Sequence, residues 1–235
     1  MARSRNGAHD RLSAYRSAGR YLLFLQLLGT VATIAWVPGS LIKVVVLLPI
    51  WLLGFGRISG IELRVMAAVN LLFILMNLGA LRHGIFRFQH PDLWGLPAYE
   101  YLTWGFYVLH TIRFVGGRSA LGASYLAVML AAVFALPFSL ISEPSMLLLA
   151  SAAVLAVSLL IFHDPLDLAY AGYMVVVGAL IEYAGVWHDE WSYPDNPMGG
   201  VPLWFVPMWG GIGLFTRRLI VPILCRSQPA ANATD

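Results

Sequence analysis

One cysteine and one lysine are all that 235 residues contain. Cys225 has no internal partner, so no disulfide framework organises the chain and the redox compartment stays open. Charge is scarce as well: Asp, Glu, Lys and Arg make up 11% of the sequence, against about 25% in an ordinary soluble domain. With 59% hydrophobic residues and a mean hydropathy of +0.74, this composition excludes a soluble globular domain. It identifies an all-α, polytopic integral membrane protein. The isoelectric point near 9.2 does not indicate nucleic acid. All basic residues except Lys43 are arginines, and they sit at the ends of apolar runs and not in a stripe. No lysine falls in the last run, 201–224, which excludes a retinal Schiff base there. No GxSxG, Walker or His-rich di-iron pattern appears.

What is present in abundance is aromatic, and it comes twice. The stretch 181–210 ends an apolar run with Glu182 still inside it. It then passes through a polar, aromatic loop and opens a new run on Gly200-Val201-Pro202. Residues 77–105 repeat this skeleton. His83 matches His188, Phe86 matches Trp191, Phe88 matches Tyr193, Gly95 matches Gly200, Pro97 matches Pro202, and Trp104-Gly105 matches Trp209-Gly210. Each pair is separated by 105 positions. The register extends to Glu62 and Asp167, Asn77 and Glu182, and Arg113 and Arg218. A constant, gapless offset predicts two tandem copies of one unit.

Apolar runs fall at 19–36, 39–55, 61–81, 96–116, 121–141, 144–162, 166–187 and 201–224, close to the ~20 residues a bilayer span needs. The second and sixth are short, and Lys43 and Pro49 weaken the second. The expected organisation is a basic tail (1–18), a first four-helix repeat (19–117), a second (118–224) and a short tail (225–235). An N-terminal signal peptide is not expected, because the repeat needs the first run and no small-residue cleavage site follows it. With both termini cytoplasmic, twelve basic residues face inward, and only Lys43, Arg82 and Arg87 face outward. Four spans per copy give both copies the same topology. They are expected to be related by a pseudo-twofold along the membrane normal, with both aromatic hairpins on the outer face. The formal sequon at Asn232 then lies in a cytoplasmic tail and is disregarded.

Glu182 is the first candidate for chemistry. Gly178 and Gly185 share its helical face and would let a neighbouring helix approach, so Glu182 should point into the bundle. A carboxyl buried in low dielectric is easier to keep protonated and can act as an acid; a structural hydrogen bond is the bland alternative. Glu100 is the second, in the first turn of its helix, where a carboxylate also complements the helix dipole. Glu100, Trp104, Tyr107 and Thr111 fall on one face, and an acid beside aromatic rings suits work on a cation. His188, Asp189 and Glu190, with His83, His90 and Asp92, lack metal-ligand spacing, so no metal is expected. His110 reads as a packed histidine, and Glu62 and Asp167 as partners of nearby arginines.

These residues resemble two related families. The unit of aromatic-x-aromatic, polar loop, Gly-x-Pro and an acid in the next helix resembles membrane lycopene cyclases of the heterodimeric type. Gly95-Leu96-Pro97-Ala98-Tyr99-Glu100 keeps the proline and the second of the paired acids, with Tyr99 at the first. The second copy, with Glu182, Trp191, Tyr193, Gly200, Val201, Pro202, Leu203 and Trp209, is similar to bacterioruberin-type carotenoid hydratases. The resemblance implies a cofactor-independent lyase or isomerase that protonates a double bond of a lipid-soluble polyisoprenoid. Water or a second double bond then captures the cation. Glu182 would be the acid, Glu100 the second acid or base, and Asn77, Trp104, Tyr107, Trp191, Tyr193 and Trp209 the substrate-binding shell. Expected partners are the bilayer, the isoprenoid, and another copy or pathway enzymes. Two other classes remain open: a transporter with a site between the repeats, and a non-catalytic membrane assembly subunit.

Overall fold

The computed structural model describes residues 3–117, 124–194 and 198–226, with residues 3–18 and 226 as helical backbone alone. Its helices are α1 Arg3–Trp36, α2 Ser40–Phe55, α3 Gly60–Arg82, α4 Glu100–Val115, α5 Tyr125–Leu140, α6 Pro144–Phe162, α7 Pro165–Trp187 and α8 Phe205–Phe215. A π-helical turn, Thr216–Ile220, carries α8 into α9, Val221–Arg226. The arginine at 118, the loop residues 195–197 and the tail from 227 with its sequon lie outside the described residues.

The chain is a multi-pass integral membrane protein. Gly19–Trp36, Gly60–Arg82, Pro144–Phe162, Pro165–Trp187 and Phe205–Cys225 are each long and apolar enough to cross a bilayer. The sixth expected run is thus of full length, whereas α2, α4 and α5 have 16 residues each. Large apolar side chains such as Leu53, Leu75, Leu149 and Leu160 point away from the protein, as bilayer-facing surfaces require. The basic segment, from Arg3 to Ala18, is helical. With no proline between Arg3 and Trp36, α1 runs through it unbroken.

Helix ends follow from local chemistry. Ser59 and Glu62 form a reciprocal capping box at the start of α3. Asp164 caps α7 through the Leu166 N–H, with Pro165 at the first helical position. These two caps sit 105 residues apart. Along the chain α1 packs on α2, α3 on α4, α5 on α6, and α7 on α8. Between the halves, α1 packs on α7, α5 on α3, and α4 on α7.

The two hairpins have matching backbones. Gly84 (φ 67°) and Asp189 (φ 58°) are both left-handed. So are Trp94-Gly95 and Gly199-Gly200, each closing a two-residue turn between bridge partners, Leu93 with Leu96 and Met198 with Val201. The strands β1, Arg87–Phe88, and β2, Trp191–Ser192, pair antiparallel, with Arg87 opposite Ser192 and Phe88 opposite Trp191. Both hairpins therefore lie on the same face of the molecule.

The opposite ends of the helices carry the expected ion pairs. Arg113 binds Glu62 with Nη2 at 2.8 Å and reaches the Arg57 carbonyl. Arg218 binds Asp167 and reaches the Phe162 carbonyl. In the second half Arg217 also binds both Asp167 and Asp164.

Lys43, the lone charge of the second run, is buried in an ion pair with Glu190 of the second hairpin. The pair also accepts the Tyr99 hydroxyl on Glu190 Oε2 at 3.0 Å. A buried lysine needs such a partner, so α2 and the second hairpin are tied together.

Candidate functional site

Glu182 lies a turn and a half before the end of α7 and is buried. Three donors converge on its carboxyl. Tyr193 Oη lies 2.7 Å and Trp191 Nε1 3.0 Å from Oε2, and Trp209 Nε1 lies 3.1 Å from Oε1. The two flanking glycines explain how indoles fit so close. A Cβ on Gly178 would overlap the Trp209 ring, and one on Gly185 the Trp191 ring. Gly178 thus lets the neighbouring helix α8 approach, as expected, and together with Gly185 it seats the two rings that donate to Glu182. Close backbone approach occurs further along, where a Cβ on Gly213 of α8 would run into the Tyr170 carbonyl of α7.

Glu100 enters from the other half. It sits in the first turn of α4 without capping that helix. Its Oε2 instead accepts Asn77 Nδ2 and Trp104 Nε1, both at 3.2 Å. Asn77 and Glu182 occupy corresponding places, as do Trp104 and Trp209. The two indoles stack on each other at 5.0 Å with their planes 26° apart. Phe73 stacks on the far side of Trp104 at 4.1 Å. Tyr107 touches both indoles edge-on or tilted, at 5.9 and 5.6 Å.

Both carboxyls line one pocket among α3, α4, α7, α8 and the hairpins. All the expected shell residues, Asn77, Trp104, Tyr107, Trp191, Tyr193 and Trp209, line it too. Its wall is mostly aromatic. Its cavity volume is about 70 Å³, below the roughly 300–1,000 Å³ that encloses a whole drug-sized ligand. It accepts one segment of a chain, not its full length. The lining residues that are only half-buried, Met76, Asn77 and Ala80 of α3, Phe88 of the first hairpin and Met208 of α8, mark its opening.

Several lining residues were not anticipated. Phe73 was accessible, since it lies one turn before Asn77 on the same helical face. Trp204 lies two residues past Pro202, in the turn leading into α8. Phe138, on α5, carried no signal, because an apolar residue in an apolar run says nothing about its neighbour. Thr111, on the expected Glu100 face, bonds Met174 of α7 instead of lining the pocket. His110 is packed as expected: it is stacked against Phe106 and Phe114 and bonded to Gln26 and Tyr173 at 3.1 and 2.7 Å. His188 meets the Trp36 ring edge-on. Among the described residues no group of three His, Cys, Asp or Glu side chains could hold a metal ion.

No family model and no curated protein matches this chain. Two solved structures do. One is the mycobacterial Insig homologue MvINS from Mycobacterium vanbaalenii, with a TM-score of 0.62. The other is a cross-linked trimer of MvINS, with a TM-score of 0.63. The likeness is one of fold. In both, sequence identity is 16%, over 74% of this chain and 98% of MvINS.

Proposed function

We propose that this protein is a cofactor-independent membrane enzyme that protonates a double bond of a polyisoprenoid, leading to hydration or cyclisation. The observation that carries this reading is that two carboxyls from different halves meet at one small, aromatic-walled pocket open to one side. Ring faces stabilise a carbocation. An indole N–H can only donate, whereas a phenol can donate or accept. Tyr193 is therefore the partner whose role changes with the proton. It donates to the Glu182 carboxylate and accepts from the protonated acid, while Trp191 and Trp209 hold the group in place. Glu100, fixed by Asn77 and Trp104, serves as the base that directs water or takes the final proton. A pocket of this size suits one branch of an isoprenoid chain whose remainder lies in the bilayer.

The two-copy architecture belongs to the same proposal. It is supported by the ion pairs, caps, left-handed residues and turns that recur 105 positions apart, and by a β-ladder centred on Arg87 and Ser192. An antiparallel ladder centred on corresponding residues is what a twofold axis through it produces. The same reading puts both hairpins on the outer face and the arginine-rich ends in the cytoplasm.

A second reading has its own support. Each Glu182 oxygen already has donors within the protein, as a purely structural acid would. The fold is shared with an Insig homologue that has been trapped as a trimer. A non-catalytic, self-associating membrane subunit fits both facts.

Glu182→Gln separates the two. Glutamine keeps the shape and an acceptor but cannot deliver a proton. Expressed in cells that make polyisoprenoids, wild type should add a hydrated or cyclised product to the lipid profile. Glu182→Gln should reduce its formation by at least ~10²–10⁴-fold, the scale of a general acid, while thermal stability stays near wild type. Turnover at the wild-type rate by a folded Glu182→Gln protein removes Glu182 as the acid. No product from the wild type favours the structural subunit.

A further inference from the structure

A second concavity lies beside the pocket, on the hairpin side of the molecule. It is a groove of about 680 Å³ between the end of α3 and the first hairpin, lined by Leu78, Leu81, Arg82, Arg87, Phe88 and Trp94 among others. Arg82 and Arg87 are exposed, and neither makes an ion pair or side-chain hydrogen bond among the described residues. Asp92, the acid nearest in sequence, instead accepts the Ala98 N–H at 2.8 Å. Trp94 stands 69% exposed at the rim, as tryptophans do at the membrane–water boundary. Leu78 and Leu81 of α3, both part-buried, form its apolar floor.

We infer that this groove binds the phosphate headgroup of an anionic phospholipid from the leaflet on the hairpin side. Guanidinium groups match phosphate oxygens with paired donors. Two of them at the end of a spanning helix, above leucines and beside a rim tryptophan, offer a phosphate and a glycerol backbone complementary surroundings. A soluble anion would find the charges but leave the apolar floor uncovered. A neutral lipid would cover the floor and leave both charges unmatched. The inference is independent of the enzymatic reading, since neither arginine lines the pocket. Phe88 is a wall of both, so the bound lipid lies next to the pocket without entering it.

The test uses the full chain reconstituted in mixed phosphatidylcholine and phosphatidylglycerol vesicles. The protein is then extracted in mild detergent and its retained lipid quantified by mass spectrometry. Wild type should retain phosphatidylglycerol over phosphatidylcholine on the order of tenfold beyond the bulk ratio. Arg82→Gln with Arg87→Gln should abolish that preference. Arg57→Gln, at the opposite end of the helices, should leave it intact. No enrichment by wild type, full enrichment by the double variant, or equal loss in Arg57→Gln would each overturn the site. Inorganic phosphate raising the thermal stability of wild type as much as phosphatidylglycerol does would assign the groove to a free anion and overturn the lipid.

Discussion

Compared at the constant offset of 105, the two halves of the molecule place different residues at matching positions. Near the hairpins the first half offers Asn77 on its long helix and Glu100 at the start of the next. The second half offers Glu182 on its long helix and Phe205 where Glu100 would correspond. Each half thus contributes one carboxyl, but from opposite arms of its hairpin. As a result the two acids have unlike partners: Glu182 holds two indoles and a phenol, whereas Glu100 holds one indole, an amide and the Thr103 hydroxyl. Identical acids at corresponding sites would have identical surroundings and no reason to differ in role. On the proposed enzymatic reading, this asymmetry gives the pocket two carboxyls with different surroundings, as acid–base chemistry requires.

The helix ends away from the hairpins differ in the same sense, and there the difference is one of stability. Glu62 and Arg113 are a part-exposed pair, 18% and 22% accessible. Asp167 is fully buried against Arg217 and Arg218. Removing one member of a buried pair strands the remaining charges and costs roughly 3–5 kcal/mol, while an accessible pair contributes about 1 kcal/mol or less. Asp167→Asn should therefore lower the thermal unfolding midpoint far more than Glu62→Gln. Equal shifts, measured in the same detergent, would mean that the two ends are energetically alike despite their burial.

Glycine substitution sharpens the comparison around the carboxyls. Gly178→Val puts side-chain atoms where the Trp209 ring lies. Overpacking of this kind costs about 1–3 kcal/mol, and here it also pulls an indole N–H away from Glu182. The corresponding place in the first half is Phe73, which already carries a ring and stacks on Trp104. Phe73→Leu should cost stability without touching the Glu182 donors. Tryptophan fluorescence reads the difference: Gly178→Val should shift the emission of the indoles around Glu182. If Gly178→Val leaves both stability and emission unchanged, the indole seat is not tightly packed.

Much of this arrangement was legible in the sequence, for a physical reason. A duplicated pattern repeats its turn residues, caps and aromatic positions, so the hairpins, the Glu62–Arg113 and Asp167–Arg218 pairs and the residues around the carboxyls could be read from the register. Glycines beside Glu182 signalled a close approach, but not by what. Seating an indole and seating a backbone require the same small residue. Partners across the bundle stayed hidden wherever only apolar periodicity spoke, as for Phe138. The partner of Lys43 was not legible, because a lone charge near a helix end looks the same whether water or Glu190 receives it. The helical start of α1 was legible in principle, since arginine is as good a helix former as leucine and no proline interrupts residues 3–36.

The smallest expected effect concerns the two helix caps, Ser59 on α3 and Asp164 on α7. They do the same work with different chemistry, since only Asp164 titrates. The Leu166 N–H, together with Arg217, holds the Asp164 carboxyl below its ordinary value of 3.8. A depressed native value means that the cap's contribution is present above the unfolded-state value and fades as pH falls through the native one. The serine cap is indifferent over that range. Asp164 is accessible to solvent, so the effect is screened and modest. Asp164→Ser should leave the midpoint near wild type at neutral pH, since serine also caps. It should also flatten the loss of stability between roughly pH 5 and pH 2. The measurement is the midpoint against pH for both proteins in one detergent. Parallel curves would mean that Arg217 and the cap hydrogen bond do not depend on the charge of Asp164, and the two halves would then be alike at this position too.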